Sequence, residues 1–473
     1  MSASTRRVLA LAPMPPEKSA YALARYSRSA DSIEDSLRWV HGHSSEKFWE
    51  QFYFDYGHAS IADLGHVIIC FEGISELAAI HIEDEALWDG QAKSSRYQDF
   101  GPGGVFVPEA IVATPVEATY RGIAARLHQT YESLYAPIRD YLCRVTPKPD
   151  EMKPAAYDRT MAARTFDVTR YLLTLASRTN VGQVVSVRTL EKQIGRLLSL
   201  SVAELRGVGE DLKSACASPP LNIWGELCGQ TAVAAEPLAP TLARHARPSD
   251  YLIKTYPELK EFAAERLRLG AIQASEPVEL MQAHEPLDEL ASTLLYKVSA
   301  YPYQQILAAV QDWSEKDKTE AVDIALRRRS PHDALLREFH CGYRFIFDIL
   351  MDLGSWRDLH RHGYDVPEVL TAAGVAPRYC ETMSVVGEQL ESFGGSHPEA
   401  AAYLTPFGFR TRCLFKMDYA EAEYIARLRS GIKGHFSYRR IAWLIQQALE
   451  ARFPTLGSRI QTTPLGIDDS LTR

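Results

Sequence analysis

Gly57-His58-Ala59-Ser60, Glu72-Gly73-Ile74-Ser75 and Ser94-Ser95-Arg96-Tyr97 punctuate one apolar stretch, and the reading of residues 57–97 decides the fold. Residues 67–73 form a short apolar run closed by an acidic residue and a glycine, which predicts a strand, and a helix carrying polar residues follows it. The last element carries a chemical possibility. A serine two residues before an arginine in a loop can set a hydroxyl and a guanidinium on one phosphate, because the planar fork of arginine pairs with two phosphate oxygens at once. The same letters also fit a turn serine beside a surface arginine.

Composition narrows the choice. At 473 residues, 46% hydrophobic and 24% charged, the chain is globular and long enough for two or three cores. A net charge of -8 and a pI near 6.0 argue against a nucleic-acid scaffold, which needs a basic surface to neutralise phosphates. A nucleotide partner is therefore a small molecule. The seven cysteines are scattered, with no CxxC or Cys/His zinc spacing, and read as reduced cytoplasmic thiols. Residues 8–12 are too brief an apolar run for a signal sequence, and no 18-residue apolar window occurs, so a cytoplasmic chain without membrane segments is expected.

The sharpest break in composition lies between about Cys216 and Tyr251, where Pro219, Pro220, Pro237, Pro240 and Pro248 sit among Ala, Gly and Thr. On either side the chain runs through a similar programme. Residues 67–73 in the first half and 345–354 in the second are strand-like runs ending in an acid and a glycine. Residues 164–176 and 189–205 carry helical stripes, as does the run holding Tyr424, Ile425, Leu428, Ile441 and Leu444. We expect an α+β protein of two domains, each a mixed sheet flanked by long helices. The expected boundaries are a first copy over 1–215, a linker with connecting helices over 216–285 and a divergent second copy over 286–473.

The GHxS, EGxS and SxRY elements stand at the spacing found in the flavin-dependent thymidylate synthases, and residues 57–97 resemble the core of that family without an insertion or deletion. The resemblance implies a site for FAD and a uridine nucleotide such as dUMP. It further implies methylene-tetrahydrofolate as carbon donor and NADPH as reductant. Carried over residue by residue, it makes His58 and Ser60 cofactor residues, Ser94 and Arg96 substrate residues, and Asp63 the counterpart of a family glutamate. Arg188 resembles the arginine of the family's NxRxL element, with Ser186 in place of the asparagine. Glu204 and Arg206 look like its later Glu-Ile-Arg. One departure is plain: Asp84-Glu85-Ala86 stand where the family has Arg-His-Arg, and carboxylates there repel a pyrophosphate.

The second half carries cations of the kind the first lacks. His360-Arg361-His362 follow Asp352-Leu353-Gly354, and Arg361-His362 resemble the first two members of the missing triplet. A solvated helix face explains three such residues equally well. Arg427, Arg429, His435, Tyr438, Arg439 and Arg440 form the densest cationic cluster, either an exposed amphipathic face or a phosphate reader, with Arg439 the substrate candidate. Family sites form between subunits, so the resemblance implies a composite site in which each half supplies what the other lost. It also implies a homodimer imitating a four-unit assembly. No single catalytic residue stands out. A P-loop, a GxGxxG fingerprint, a GxSxG serine and a convergent metal set are all absent from the sequence.

Overall fold

The computed structural model describes residues 14–27, 32–55, 59–85, 87–100, 104–222, 227, 229, 237–250, 253–254, 257, 276–280, 286–297, 303–327, 335, 337–340, 344–353, 366–467 and 471. In chain order its main elements begin with α1 (Pro16–Tyr26), α2 (Ile33–His41), β1 (His66–Ser75), α3 (Glu76–Glu83), β2 (Asp89–Ala92), α4 (Pro115–Val145) and α5 (Pro154–Thr169). There follow β3 (Arg178–Ser186), α6 (Val187–Ser199), α7 (Ala203–Ala217), β4 (Val278–Leu280), α8 (Pro286–Lys297) and β5 (Phe345–Asp352). The last are α9 (Ala376–Ser396), β6 (Arg410–Met417), α10 (Tyr419–Arg429) and α11 (Phe436–Arg452). Helix and sheet are mixed throughout, and the chain divides into two compact units.

One unit gathers Met1–Lys93, Gly103–Thr119 and Ala176–Gly270. Its sheet is antiparallel in the order β1-β3-β2. Strand β1 alternates as its sequence demands: Val67, Ile69 and Phe71 turn inward, while Ile68 and Cys70 turn outward. Against the inner face pack Ala20 and Ala24 of α1, Leu190, Ile194 and Leu197 of α6, and Leu205 and Leu212 of α7. The proline-rich stretch read as a connector contains a helix, Pro240–His245, whose Leu242 and Ala243 lie in this same core. Buried Glu17 explains the docking, since its carboxylate accepts the N–H groups of Thr241 and Leu242 at that helix's first turn.

The Glu72-Gly73 pair is a bulge in β1, where the register with β3 shifts between Phe71 and Ile74. Gly73 adopts φ +68, a left-handed conformation that a side chain disfavours. Its N–H donates to Asn180 Oδ1 at 2.9 Å and its carbonyl accepts from Arg178 Nη1 at 2.7 Å. A Cβ there would meet nothing nearer than Arg178 Nη1 at 3.8 Å. The cost of Gly73→Ala is therefore conformational, about 1–2 kcal/mol by chemical denaturation, partly offset by a stiffer unfolded chain. An unchanged midpoint would mean that the bulge relaxes freely.

The other unit gathers Ser94–Pro102, Tyr120–Leu175 and Ala271–Arg473. Its sheet is antiparallel in the order β4-β5-β6, with Phe345, Phe347 and Ile349 of β5 buried against Tyr419, Ile445 and Leu449. Within this unit α4 and α9 meet at Thr130 and Thr382, whose hydroxyls lie 2.9 Å apart. The expected helical stripe over 164–176 stops early: α5 ends at Thr169, a 3-10 turn spans Arg170–Leu172, and Leu173 is extended. The reason is a backbone exchange with a later loop. Phe407 N–H donates to the Leu173 carbonyl at 2.8 Å, and Leu175 N–H donates to the Thr405 carbonyl at 3.2 Å. The stripe over 189–205 also breaks, at extended Leu200, into α6 and α7.

The two exchanging loops lead into strands with matching spacing. Tyr171, Arg178, Thr179 and Ser186 in one half stand as far apart as Tyr403, Arg410, Thr411 and Asp418 in the other. Ser186 and Asp418 each cap the helix that follows, accepting the N–H of Thr189 at 3.1 Å and of Glu421 at 2.8 Å.

Candidate functional site

In the first unit the serine of the Glu72–Ser75 element is locked by its neighbours. Ser75 Oγ caps α3 through the Ala78 N–H at 3.0 Å. The same hydroxyl donates to Glu204 Oε2 at 2.6 Å, and the Ser75 N–H donates to Glu204 Oε1 at 2.9 Å. Two charge-assisted bonds thus tie the end of β1 to the start of α7. A second cluster surrounds Arg188, whose Nη1 meets Asp63 Oδ2 at 2.8 Å. Ser186 Oγ lies 3.3 Å from the other Asp63 oxygen, and Tyr53 donates to Glu191. Burial, reinforced by the Glu191 carboxylate, pushes the Tyr53 phenol well above its usual range.

The Asp84-Glu85 segment, which the sequence resemblance set against a basic triplet, holds an internal ion pair. Glu85 accepts from Arg196 Nε at 2.8 Å, and Arg196 also reaches the His81 carbonyl. Burial raises the Glu85 pKa against the pull of Arg196. Burial and the Arg196 charge together depress the His81 imidazole, against a smaller opposing effect of Asp84. The sign of the pH dependence follows. Below 6.5 the unfolded chain binds a proton at His81 that the folded chain refuses, so stability falls as pH drops through that value towards the folded pKa. Glu85 contributes the opposite slope, between its ordinary value of 4.5 and its raised one. Denaturation midpoints of His81→Gln should therefore lose less than the parent's between about pH 7 and 5. Parallel curves would count against a depressed His81.

In the second unit the Ser94–Tyr97 element meets residues far along the chain. Arg96 Nε donates to Asp167 Oδ1 at 2.7 Å, Nη1 to the Tyr438 hydroxyl at 3.0 Å and Nη2 to the Lys433 carbonyl at 3.0 Å. Ser94 Oγ accepts the Arg96 N–H at 3.3 Å, closing the loop. The guanidinium carbon lies 5.6 Å from the Tyr97 ring centroid and 5.8 Å from that of Tyr438, and Arg429 lies 5.8 Å from the same Tyr438 ring. Burial works against the Arg96 charge, and the Asp167 carboxylate more than restores it, leaving the pKa above its ordinary value.

Behind this pair sits a buried polar layer. His435 caps α11, with Nδ1 accepting the Ser437 N–H at 3.3 Å. Its Nε2 stands 2.8 Å from the Asp167 carbonyl, which assigns the proton to Nε2. Ser437 donates to the Asp352 carboxylate at the end of β5. Buried Arg170 has its pKa pushed down by desolvation, while Asp352 and Asp167 pull it back up. Two guanidiniums, Arg96 and Arg170, therefore face two carboxylates, Asp167 and Asp352.

The structure treats the expected site residues unevenly. Ser94 and Arg96 come together with Tyr438 of the later half. Arg188 stands with Asp63 in the other unit, and Ser60 belongs to the 3-10 helix Ala59–Leu64 that also carries Asp63. Arg439 is buried on α11, with Nε on the Ser430 carbonyl at 3.0 Å and Nη2 on the Ile467 carbonyl at 2.8 Å, so these donors hold the backbone. The basic cluster around it separates into distinct roles, since Arg427 pairs with Glu423 and His435 is a cap. His58, His360, Arg361 and His362 lie outside the described residues. Asp167 and Asp352 were missed. The available signal was an acid among apolar neighbours, at Phe166-Asp167-Val168 and Leu350-Met351-Asp352.

Among the described residues, no group of three or more His, Cys, Asp or Glu could hold a metal ion, and no helix is long and apolar enough to cross a membrane. Residues 9–204 match the family model described as thymidylate synthase complementing protein. A UPF0159 protein of Chlamydia muridarum is 25% identical over 417 residues, covering 84% of this chain and 77% of that protein. A UPF0159 protein of Thermoplasma acidophilum, Ta1429, is 23% identical over 503 residues, covering 94% and 95% respectively. Among solved structures, the flavin dependent thymidylate synthase of Helicobacter pylori complexed with FAD and dUMP aligns with 12% identity and a TM-score of 0.26. That alignment spans 43% of this chain and 89% of the other.

Proposed function

We propose, from the match of residues 9–204 to the family model described as thymidylate synthase complementing protein, that the chain is a divergent flavin-dependent thymidylate synthase-like enzyme. Its reaction is the reductive methylation of a uridine nucleotide, with methylene-tetrahydrofolate as carbon donor and NADPH as reductant. The observation that carries this reading is the setting of Arg96. The Arg96 guanidinium lies 5.6 Å from the ring of Tyr97, which is 55% exposed, and 5.8 Å from that of Tyr438, so a planar base stacked on Tyr97 would sit beside a fixed charge.

The cofactor would be FAD, whose ring carries the electron chemistry while the protein orients it and excludes water. Arg188, with 32% of its side chain exposed, fits a phosphate once it turns from Asp63. Asp84 and Glu85 do not fit a pyrophosphate; the resemblance offers His58, Ser60 and Arg188 in the first half, and His360, Arg361 and His362 in the second, as candidates for that role. The domain reading, two copies over 1–215 and 286–473 about a 216–285 linker, is supported by the matched spacing of the loops before β3 and β6. Their reciprocal backbone bonds are of the kind a two-fold interface makes. A homodimer of such chains in the cytoplasm completes the proposal.

A second reading is a catalytically altered paralogue that binds flavin or nucleotide, or acts on another pyrimidine or small molecule. The Glu85–Arg196 pair favours it, because charge needed for the cofactor is neutralised internally. The visible spectrum of the purified chain separates the two. Absorbance at about 450 nm, retained through gel filtration after FAD is added, supports the enzyme. Binding of dUMP with no retained flavin supports the paralogue.

A further inference from the structure

The guanidinium of Arg96 already has an anion. Asp167 Oδ1 lies 2.7 Å from its Nε, and only 13% of the Arg96 side chain and 2% of the Asp167 side chain are exposed. A pair at that depth is weakly screened by salt, and the carboxylate takes an edge of the fork that a phosphate would use. The other edges end on Tyr438 and on the Lys433 carbonyl, neither of which carries a charge. Asp167 is also fixed in place, because its own carbonyl faces His435 Nε2 and it sits on the last turn of α5. With Arg170 and Asp352 the group is balanced, two charges against two. Among these four groups an incoming phosphate finds no surplus cation.

We propose that Asp167 is a specificity-determining residue, which competes with a ligand's phosphate for Arg96 so that this face binds 2′-deoxyuridine and its 5′-monophosphate almost equally. The uridine part of the proposal rests on the function argued above. The competition for an anion does not, and inorganic phosphate probes it alone. Replacing Asp167 by asparagine keeps the shape and an acceptor for Arg96 Nε, and removes one negative charge from the balanced group. Surplus positive charge then meets the ligand.

The test is calorimetric titration of the full chain with dUMP, 2′-deoxyuridine and inorganic phosphate, using the parent, Asp167→Asn and the double variant Asp167→Asn/Arg96→Gln. The parent should bind the two uridine compounds within about threefold of each other. Asp167→Asn should favour dUMP by about tenfold or more, as expected when a charge-assisted bond becomes available, and the double variant should lose that gain. A parent preference for dUMP above about tenfold overturns the proposal, as does a gain that survives without Arg96. If no uridine compound binds any variant, the functional reading fails and phosphate decides: affinity gained in Asp167→Asn and lost in the double variant sustains the competition, and no gain overturns it. Circular dichroism checks folding, and Asp167→Ser replaces an asparagine variant that does not fold.

Discussion

Asp352→Ala should lower the free energy of unfolding by about 3–5 kcal/mol, the range expected when one partner is removed from a buried set of charges. Asp352 lies fully buried at the end of β5, accepts the Ser437 hydroxyl, and holds up the charge of Arg170 against desolvation. Alanine removes the largest of the charges that hold up Arg170, and Arg96 already engages the next, Asp167. It also leaves the Ser437 hydroxyl without this acceptor. Asp352→Asn, which keeps an acceptor and loses the charge, should fall between alanine and the parent. Urea denaturation of the full chain followed by tryptophan fluorescence measures the series. An alanine variant within about 1 kcal/mol of the parent would show that solvent reaches the layer and compensates the charge.

Arg188→Ala should weaken FAD binding about 10–100-fold, since a hydrogen bond to a charged group is worth roughly 1.5–3 kcal/mol. Its effect on folding should be far smaller. The Arg188–Asp63 pair is 32% and 37% exposed on its two sides, and pairs so open to water contribute about 0–1 kcal/mol at most. Asp352 is fully buried, whereas Arg188 keeps about a third of its side chain open to solvent. Flavin fluorescence quenching across a titration measures the affinity. Equal affinities for the parent and Arg188→Ala, with equal melting curves, would remove Arg188 from the cofactor residues.

Much of the fold was legible because its periodicity is local. The apolar run at 67–73 marked β1, although the acid and glycine read as its close turn out to be a bulge through which the strand continues to Ser75. The run at 345–354 marked β5 for the same reason. The breaks were illegible where long-range bonds cause them. Nothing near Thr169 in sequence announces that Leu173 and Leu175 will exchange hydrogen bonds with a loop at 405–407, which is what stops α5.

The site divides along the same line. Ser75 with Glu204, and Ser94 with Arg96, could be singled out by motif, and the structure shows what holds each of them. The acids that decide the electrostatics could not. Asp167 sits in an apolar helical stripe, and its partner Arg96 stands 71 residues away. The basic cluster at 427–440 was visible as charge, but charge alone does not separate a helix cap such as His435 from a backbone clamp such as Arg439.

The most direct test of the proposed activity is a product assay. The full chain, loaded with FAD and supplied with NADPH and methylene-tetrahydrofolate, is incubated with dUMP and with 2′-deoxyuridine, and the pyrimidine is weighed by mass spectrometry. A single added methyl group on the uracil ring, absent when FAD or the folate is withheld, is the predicted result. Flavin-loaded protein that leaves both compounds unmethylated would contradict the assignment and leave a binding protein on the same scaffold.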